Sequence, residues 1–310
     1  MERVTAFAPG SASNLGPGFD CLGIAFTGKG DTVTASPAPA PGVRILSISD
    51  TRIPTDADRN TASLAAAAVL RRCGRESGPG MDLTIEKGLP LAGGMGGSAA
   101  SAVAGAVAAN ALVRARLAPL DLLACALEAE EAVSGGRHAD NVAPCLLGGA
   151  ILVACADGGA AEVTAIPVKQ GLSLVLVTPA YQVETARARA VLPADVARGT
   201  AVTQAARLAG LVLGLERGEA DLIRRNMFDA IAEPARAALF PGYAEARTAG
   251  LEAGALGVAV SGAGPTVVAV VPMPSAAKVG EAMVQAYRRA GLEAVSHPAQ
   301  IDRSGARILP

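Results

Sequence analysis

Tryptophan is absent from this 310-residue chain, and its aromatic side chains are only five phenylalanines and three tyrosines. An aromatic fraction of 3% leaves few platforms on which bases could stack. Charge offers no substitute: 27 basic against 28 acidic residues give a net charge of −1, which argues against nucleic acid as the main partner. Lysine is scarce as well, with only four, Lys29, Lys87, Lys169 and Lys278. The five cysteines, at 21, 73, 125, 145 and 155, form no C-x-x-C pair, and the two histidines, His138 and His297, lie far apart. Zinc is therefore disfavoured, and the thiols read as small, mostly buried side chains in a reducing cytoplasm. The N-terminal MERVTAFAPGS lacks the apolar core of about 7–15 residues of a secretory signal, and no run of bulky apolar residues suggests a membrane helix. No repeat or charged tail is evident.

What the chain does have is small and apolar: a hydrophobic fraction of 51% and 36 glycines. That composition suits a globular protein of one large or two ordinary domains. The stretch Leu89 to Ala102, LPLAGGMGGSAASA, packs four glycines into five residues just before a run of small helix-compatible side chains. Met81 to Glu86 alternates as a strand does, and Ser98 to Val113 suits a closely packed helix, so the order is strand, glycine loop, helix. Glycines let the backbone approach a ligand, and the exposed N–H groups of a helix start favour an anion such as phosphate. From spacing alone a plain turn remains the alternative. The usual P-loop is excluded because Ser98 follows Gly97 with no lysine at that position, and none lies between Lys87 and Lys169.

Along the chain, strands are expected at Val4 to Ala8, Leu22 to Phe26, Asp31 to Ala35 and Val43 to Ile48, with a helix over Thr61 to Arg72 stopped by Gly74. Pro119 opens a helix to about Ala132, after which SGGRHADNVAPCLLGG interrupts. Strands follow at Ala150 to Cys155, Val163 to Pro167 and Leu172 to Thr178, with a turn at Asp157 to Gly159. Helices are expected over Glu184 to Leu192, Val196 to Leu215, Ala220 to Ile231 and Tyr243 to Glu252. Strands at Val258 to Ser261 and Thr266 to Val271 then flank GAGP, before a helix over Ala276 to Ala290 and a final strand at Glu293 to Ser296. A soft boundary near 155 to 170 separates two α+β halves, 1–160 and 161–310, whose interface is a natural ligand cleft. The Arg71–Arg72 and Arg224–Arg225 pairs read as solvated helix faces or ends.

Several constellations could carry chemistry. Asn14 and Asp20 lie across a Gly-Pro-Gly turn and could converge on a small polar molecule, the plain alternative being an Asx turn. Glu128, Glu130 and Glu131, followed by His138, Asp140 and Asn141, gather hard oxygen ligands of the kind Mg²⁺ takes together with phosphate and water. GAGP at 262 to 265 is a second glycine loop. Two such loops with an acidic cluster favour a nucleotide, and a kinase needs little beyond positioning and charge stabilisation. Arg189 and Arg236 could clamp a carboxylate or form surface salt bridges.

In their order, PGSASNLGPGFDCLG (9 to 23), LPLAGGMGGSAAS (89 to 101) and SGAGPT (261 to 266) resemble the GHMP small-molecule kinases. The first motif, HADNVAPCLLGG (138 to 149) and IAEPARAALFPGY (231 to 243) resemble the branch of that family acting on L-homoserine in threonine biosynthesis. The resemblance implies an α+β, two-domain GHMP kinase fold, with a ribosomal-S5-domain-2-like N-terminal domain (1–160) and a ferredoxin-like C-terminal domain (161–310). It implies ATP and Mg²⁺ as cofactors, a cytoplasmic enzyme, and a homodimer. Pro90, Leu91, Ala92, Gly93, Gly94, Met95, Gly96, Gly97, Ser98, Ala99, Ala100 and Ser101 would wrap the phosphates, with Gly262 and Gly264 of the second loop. Ser98 and Glu130 would serve the metal, and Asn14, Asp20, His138, Arg189 and Arg236 the acceptor. An amino acid fits that set, since its ammonium needs an acidic partner such as Asp20 and its carboxylate needs arginine. Mevalonate- or phosphomevalonate-type kinases, and a GHMP-fold protein that binds without catalysis, are the alternatives.

Two departures from the family pattern matter. Relatives such as mevalonate kinase carry an aspartate as base at the position matching Asn141, and an amide accepts no proton at neutral pH. The expectation is that Asn141 orients the hydroxyl while the proton passes to phosphate or solvent, with Asp140 as the rival base. The family loop also carries serines where this chain has Gly93 and Gly97, which predicts a mobile loop that orders on nucleotide.

Overall fold

The computed structural model describes residues 3–155 and 161–310, so the turn expected at Asp157 to Gly159 lies outside the described residues. Two sheets organise the chain. The first holds β1 (Val4–Asn14), β2 (Gly18–Ala38), β3 (Val43–Ile48), β4 (Gly80–Glu86), β5 (Ala150–Cys155) and β6 (Ala161–Ile166). β2 is one 21-residue strand where the sequence suggests two. Its register against β1 jumps from Pro9↔Gly30 to Gly10↔Phe26, and Gly28 (φ +88°) turns the intervening residues. The alternation breaks at that bulge although the chain stays in the sheet. β4 pairs antiparallel with one end of β2 and β5 with the other, while β3 runs parallel to β4.

Four helices cover this sheet: α1 (Thr61–Arg72), α2 (Gly97–Leu112), α3 (Pro119–Ser134) and α4 (Ala139–Leu147). Asn60 caps α1, its Oδ1 accepting from Ala62 N at 2.9 Å. Ala99, Ala100, Ala102, Val103, Ala104, Ala106, Ala108 and Ala109 of α2 are all buried, so this helix is apolar all round, as a central helix must be. Small side chains let it approach α1 backbone to backbone: a Cβ on Gly105 would meet the Cα of Ala62 at 2.8 Å.

α4 corrects an expectation, because HADNVAPCLLGG is helical rather than an interruption. Pro144 lies inside it and has no N–H to offer the Asp140 carbonyl four residues earlier. That carbonyl instead leans onto Gly23 of β2, where any Cβ would collide with it. A glycine opposite a helical proline thus removes the steric objection to the helix.

The second sheet contains β7 (Leu172–Pro179), β8 (Gly257–Val260), β9 (Val267–Pro272) and β10 (Ala294–Ala299), all antiparallel in the order β10-β7-β9-β8. Between β7 and β8 run α5 (Thr185–Ala190), α6 (Arg198–Arg217), α7 (Ala220–Asn226), α8 (Ala232–Arg236) and α9 (Tyr243–Glu252), and α10 (Ala276–Arg289) joins β9 to β10. This is the split βαβ-βαβ pattern of a ferredoxin-like domain. The helix expected over Ala220 to Ile231 ends at Asn226, because Asp229 takes the N–H groups of Ile231, Ala232 and Glu233 and starts α8 instead. β6 pairs with β5, so a division at 160 would separate two paired strands, and the change of sheet falls between Ile166 and Leu172. The chain ends by returning to the first sheet, where β11 (Arg307–Ile308), not anticipated in the sequence, pairs with β1. Among the described residues no helix is long and apolar enough to cross a membrane.

Candidate active site

A cleft of about 360 Å³ opens where the two halves meet. Its lining combines the β1–β2 turn, the glycine loop with the start of α2, the junction of α3 with α4, and α5, α8 and the 262–264 loop from the second half. The sequence-predicted residues Asn14, Asp20, Ser98, Glu130, His138, Asp140, Asn141, Arg189, Arg236, Gly262 and Gly264 all line it.

The glycine loop reaches α2 through Gly96, which adopts left-handed backbone (φ +69°) and puts no side-chain cap on the first helical turn. The helix-start N–H groups are thereby left to whatever enters the cleft. Gly94 (φ +69°) packs against the second glycine loop so tightly that a Cβ would stand 2.5 Å from Ser261 O and 2.9 Å from Gly264 O. Ser261 Oγ donates to Gly94 O at 2.6 Å, Ser11 N to Met95 O at 3.1 Å and Thr266 N to Gly93 O at 3.4 Å. These bonds tether the loop to β1 and to the second glycine loop. Of the twelve loop residues named above, Met95, Ala99 and Ala100 are buried and do not line the cleft, and the Ala100 N–H is already taken by Gly96 O. Ser98 is exposed toward the cleft.

A lysine from outside the glycine motif also reaches this helix start, without making the loop a P-loop. Lys87, just past β4, folds under the loop and donates from Nζ to Gly97 O at 2.9 Å, to Ser101 Oγ at 2.8 Å and to Asp31 Oδ2. Asp31 in turn accepts from Ser101 Oγ and from the N–H groups of Gly88 and Leu89. The pair is buried and knots the exit of β4 to the first turn of α2. Its sequence signal, a lone lysine ten residues before the helix, is too distant for a motif.

The acidic run divides by helical phase. Glu128 faces outward to Arg71 and Glu131 to Arg137, whereas Glu130 is 1% exposed and points into the cleft. Its Oε2 lies 3.4 Å from His138 Nδ1, and that contact holds the imidazole pKa above its ordinary value against the opposing effect of burial. Oε1 of Glu130 and Nε2 of His138 are both buried without a partner. An orphaned buried carboxylate oxygen, lining the same cleft as the helix start, fits a cation. Among the described residues no three His, Cys, Asp or Glu side chains converge as a metal cage. A divalent ion here would complete its shell from phosphate and water, as Mg²⁺ ordinarily does.

Next to it, Asn141 is clamped by two serines of β1. Ser11 Oγ donates to Asn141 Oδ1 at 3.0 Å and Asn141 Nδ2 donates to Ser13 Oγ at 3.0 Å. Alternation along a strand puts residues 11 and 13 on one face, so Ser-x-Ser was the available sequence signal for both. Asp140 is buried, and burial followed by the nearby negative charge of Asp20 pushes its carboxyl up to about 6.

At the outer end, Asn14 (φ +73°) uses Nδ2 to hold Gly262 O at 3.0 Å and Oδ1 to accept from Asp20 N at 3.1 Å. It serves both the turn and the second half of the chain. Asp20 itself pairs with Arg189 in bidentate fashion, at 3.0 Å for both bonds. Arg236 is 4% exposed and donates to the carbonyls of Ala188 (2.8 Å) and Gly262 (3.2 Å), with Phe19 against its guanidinium. Among the described residues no carboxylate lies within ion-pair distance of it. Burial first, and Arg189 second, lower its pKa, so this cation is under-compensated and faces the cleft.

The geometry has counterparts among known proteins. The family model for the GHMP kinases N terminal domain matches residues 60–149, and that for the GHMP kinases C terminal region matches 211–289. A homoserine kinase of Xanthomonas campestris pv. campestris (strain B100) is 39% identical over 312 residues, covering 100% of this chain and 95% of its own. A homoserine kinase of Arabidopsis thaliana is 40% identical over 314 residues, covering 99% of this chain and 84% of its own. The solved structure of a homoserine kinase from Cytophaga hutchinsonii superposes with a TM-score of 0.94 at 38% identity, covering 100% of this chain and 98% of that one. With relatives this similar over the whole of this chain and most of their own length, and with both halves of the fold accounted for, the chain belongs to the GHMP kinases, in the homoserine kinase family.

Proposed function

We propose that the cleft transfers the γ-phosphoryl group of ATP to the side-chain hydroxyl of L-homoserine, giving O-phospho-L-homoserine and ADP in threonine biosynthesis. The observation that carries the reading is the convergence, beside an uncapped helix start, of a carboxylate, two guanidiniums and a clamped amide. The helix start and glycine loop supply backbone N–H groups for the triphosphate. Ser98 and Glu130 are assigned to Mg²⁺, and the unpartnered Glu130 Oε1 is the atom that fits it. When bound, the ion neutralises charge on the phosphate oxygens.

The acceptor is read from its charges. Asp20 takes the ammonium, Arg236 and Arg189 the carboxylate, and Asn141 Oδ1 keeps a lone pair to receive the hydroxyl proton's hydrogen bond. The hydroxyl oxygen forms the new P–O bond as the bridge to the β-phosphate breaks. The proton leaves to the transferred phosphate or solvent, Asp140 being the competing acceptor. A coupled ADP-release assay with Mg-ATP across L-homoserine, mevalonate, galactose and phosphomevalonate tests the reading. Turnover confined to L-homoserine is the expected result; selective turnover of another alcohol overturns the substrate assignment.

A further inference from the structure

Two side chains assigned to opposite charges of the acceptor hold each other in this structure. Asp20 and Arg189 form two parallel hydrogen bonds of 3.0 Å, yet their side chains are 44% and 41% exposed, and pairs so open to water contribute little to stability. Both partners are held from behind. Asp20 sits in left-handed backbone (φ +56°) with its N–H on Asn14 Oδ1, and the neighbour of Arg189, Ala188, is buried and offers its carbonyl to Arg236. Arg236 stands close enough to Arg189 for the two cations to repel each other.

We infer that the Asp20–Arg189 ion pair is an internal stand-in for the substrate's zwitterion, opened by exchange when an α-amino acid enters. The inference rests on the proposed acceptor site and adds how that site selects. An ammonium replaces Arg189 on Asp20 while a carboxylate replaces Asp20 on Arg189 and satisfies Arg236, so every charge released is paired again. A ligand with one charge breaks the same pair and strands one partner. Selection for the zwitterion is therefore cooperative, and the pair disfavours alcohols with only an amine or only a carboxylate by up to about fivefold.

The test uses the full chain. A structure with L-homoserine bound is expected to show the Asp20–Arg189 contact open, with ammonium on Asp20 and carboxylate on Arg189; a pair that persists with L-homoserine in place overturns the exchange and leaves the kinase reading intact. Ligand-observed NMR titrations supply the second arm, with 4-hydroxybutanoate as the carboxylate-only probe and 3-aminopropan-1-ol as the amine-only probe. Asp20→Asn should tighten 4-hydroxybutanoate by about fivefold, the most an exposed pair withholds, while weakening L-homoserine. Arg189→Gln should do the same for 3-aminopropan-1-ol, which guards against misfolding of one variant. Unchanged affinity for both single-charge probes in both variants overturns the inference. Wild-type protein that neither binds nor phosphorylates L-homoserine is instead a failure of the proposed function.

Discussion

Ser11 donates to Asn141 across 130 residues of sequence, and the amide it orients is the group we assign to the acceptor hydroxyl. Ser11→Ala removes one of the two bonds that fix this amide. Such a bond contributes roughly 1 kcal/mol, so kcat should fall by about fivefold while KM for ATP stays constant. Steady-state kinetics of the variant checks this, and an unchanged kcat would show that Ser13 alone suffices.

Lys87 and Asp31 form a buried pair, and losing one partner of such a pair costs about 3–5 kcal/mol because the other charge is stranded. Lys87→Met should lower the urea midpoint accordingly. The double replacement Lys87→Met with Asp31→Asn should recover part of the loss, because the amide oxygen can still accept from the Gly88 and Leu89 N–H groups, and a double-mutant cycle in urea measures it.

Asp140 and Asn141 separate two accounts of the proton. If no side chain acts as base, Asp140→Asn keeps kcat within about tenfold of the parent, well short of the roughly 10²–10⁴-fold that general-base catalysis supplies. A loss of several orders of magnitude, with folding and L-homoserine binding intact, would make Asp140 the base. Its carboxyl at about 6 then predicts a rate that rises with pH through that value.

Glu233 gives the clearest pH signature. Burial pushes its carboxyl up to about 7 from an ordinary 4.5, although its oxygens accept from Tyr243 Oη (2.7 Å) and Val260 N (2.9 Å). The folded state therefore holds the proton more tightly than the unfolded one. The stability this group contributes is fully present below about pH 4.5 and is lost as pH rises through about 7. The slope inside that window reaches at most about 1.4 kcal/mol per pH unit. Glu233→Gln should flatten the pH dependence of Tm between 5 and 8 and raise Tm at the upper end; an unaltered slope would refute the assignment.

Glycine is needed unequally in the phosphate loop. A Cβ at Gly97 finds its nearest neighbour at 3.6 Å and a helical backbone, so Gly97→Ala should stabilise by about 0.4–1 kcal/mol and leave KM for ATP within about twofold. Gly94→Ala drives a Cβ into Ser261 and Gly264 at positive φ, and should raise that KM by at least about tenfold, since a left-handed non-glycine residue alone costs roughly 1–2 kcal/mol before the clash. Hydrogen exchange of residues 90–97 with and without Mg-nucleotide completes the test: strong protection in both states follows from the tethers, whereas protection gained only with nucleotide would restore the mobile loop.

Local chemistry alone determined much of this protein. The helices at 61–72 and 243–252 and the strands at 43–48 and 150–155 are legible because period, caps and breakers lie within a few residues of what they control. The glycine loop before α2 was readable for the same reason, and the motifs pointed to Asn14, Asp20, Glu130 and Asn141, which the fold brings to one cleft. Tertiary structure alone decided the rest. Whether a helix forms across Pro144 depended on Gly23, more than a hundred residues away, leaving room for a displaced carbonyl. Which of three neighbouring glutamates enters the cleft depended on what α3 packs against. Lys87, outside the glycine motif, reaches the helix start from the end of a strand, held by an aspartate 56 residues earlier in the chain. The mutual pairing of Asp20 with Arg189 joins residues 169 apart. Sequence patterns record what a residue needs from its neighbours in the chain. Charge pairing and steric clearance are set in space, and only the folded chain brought those groups together.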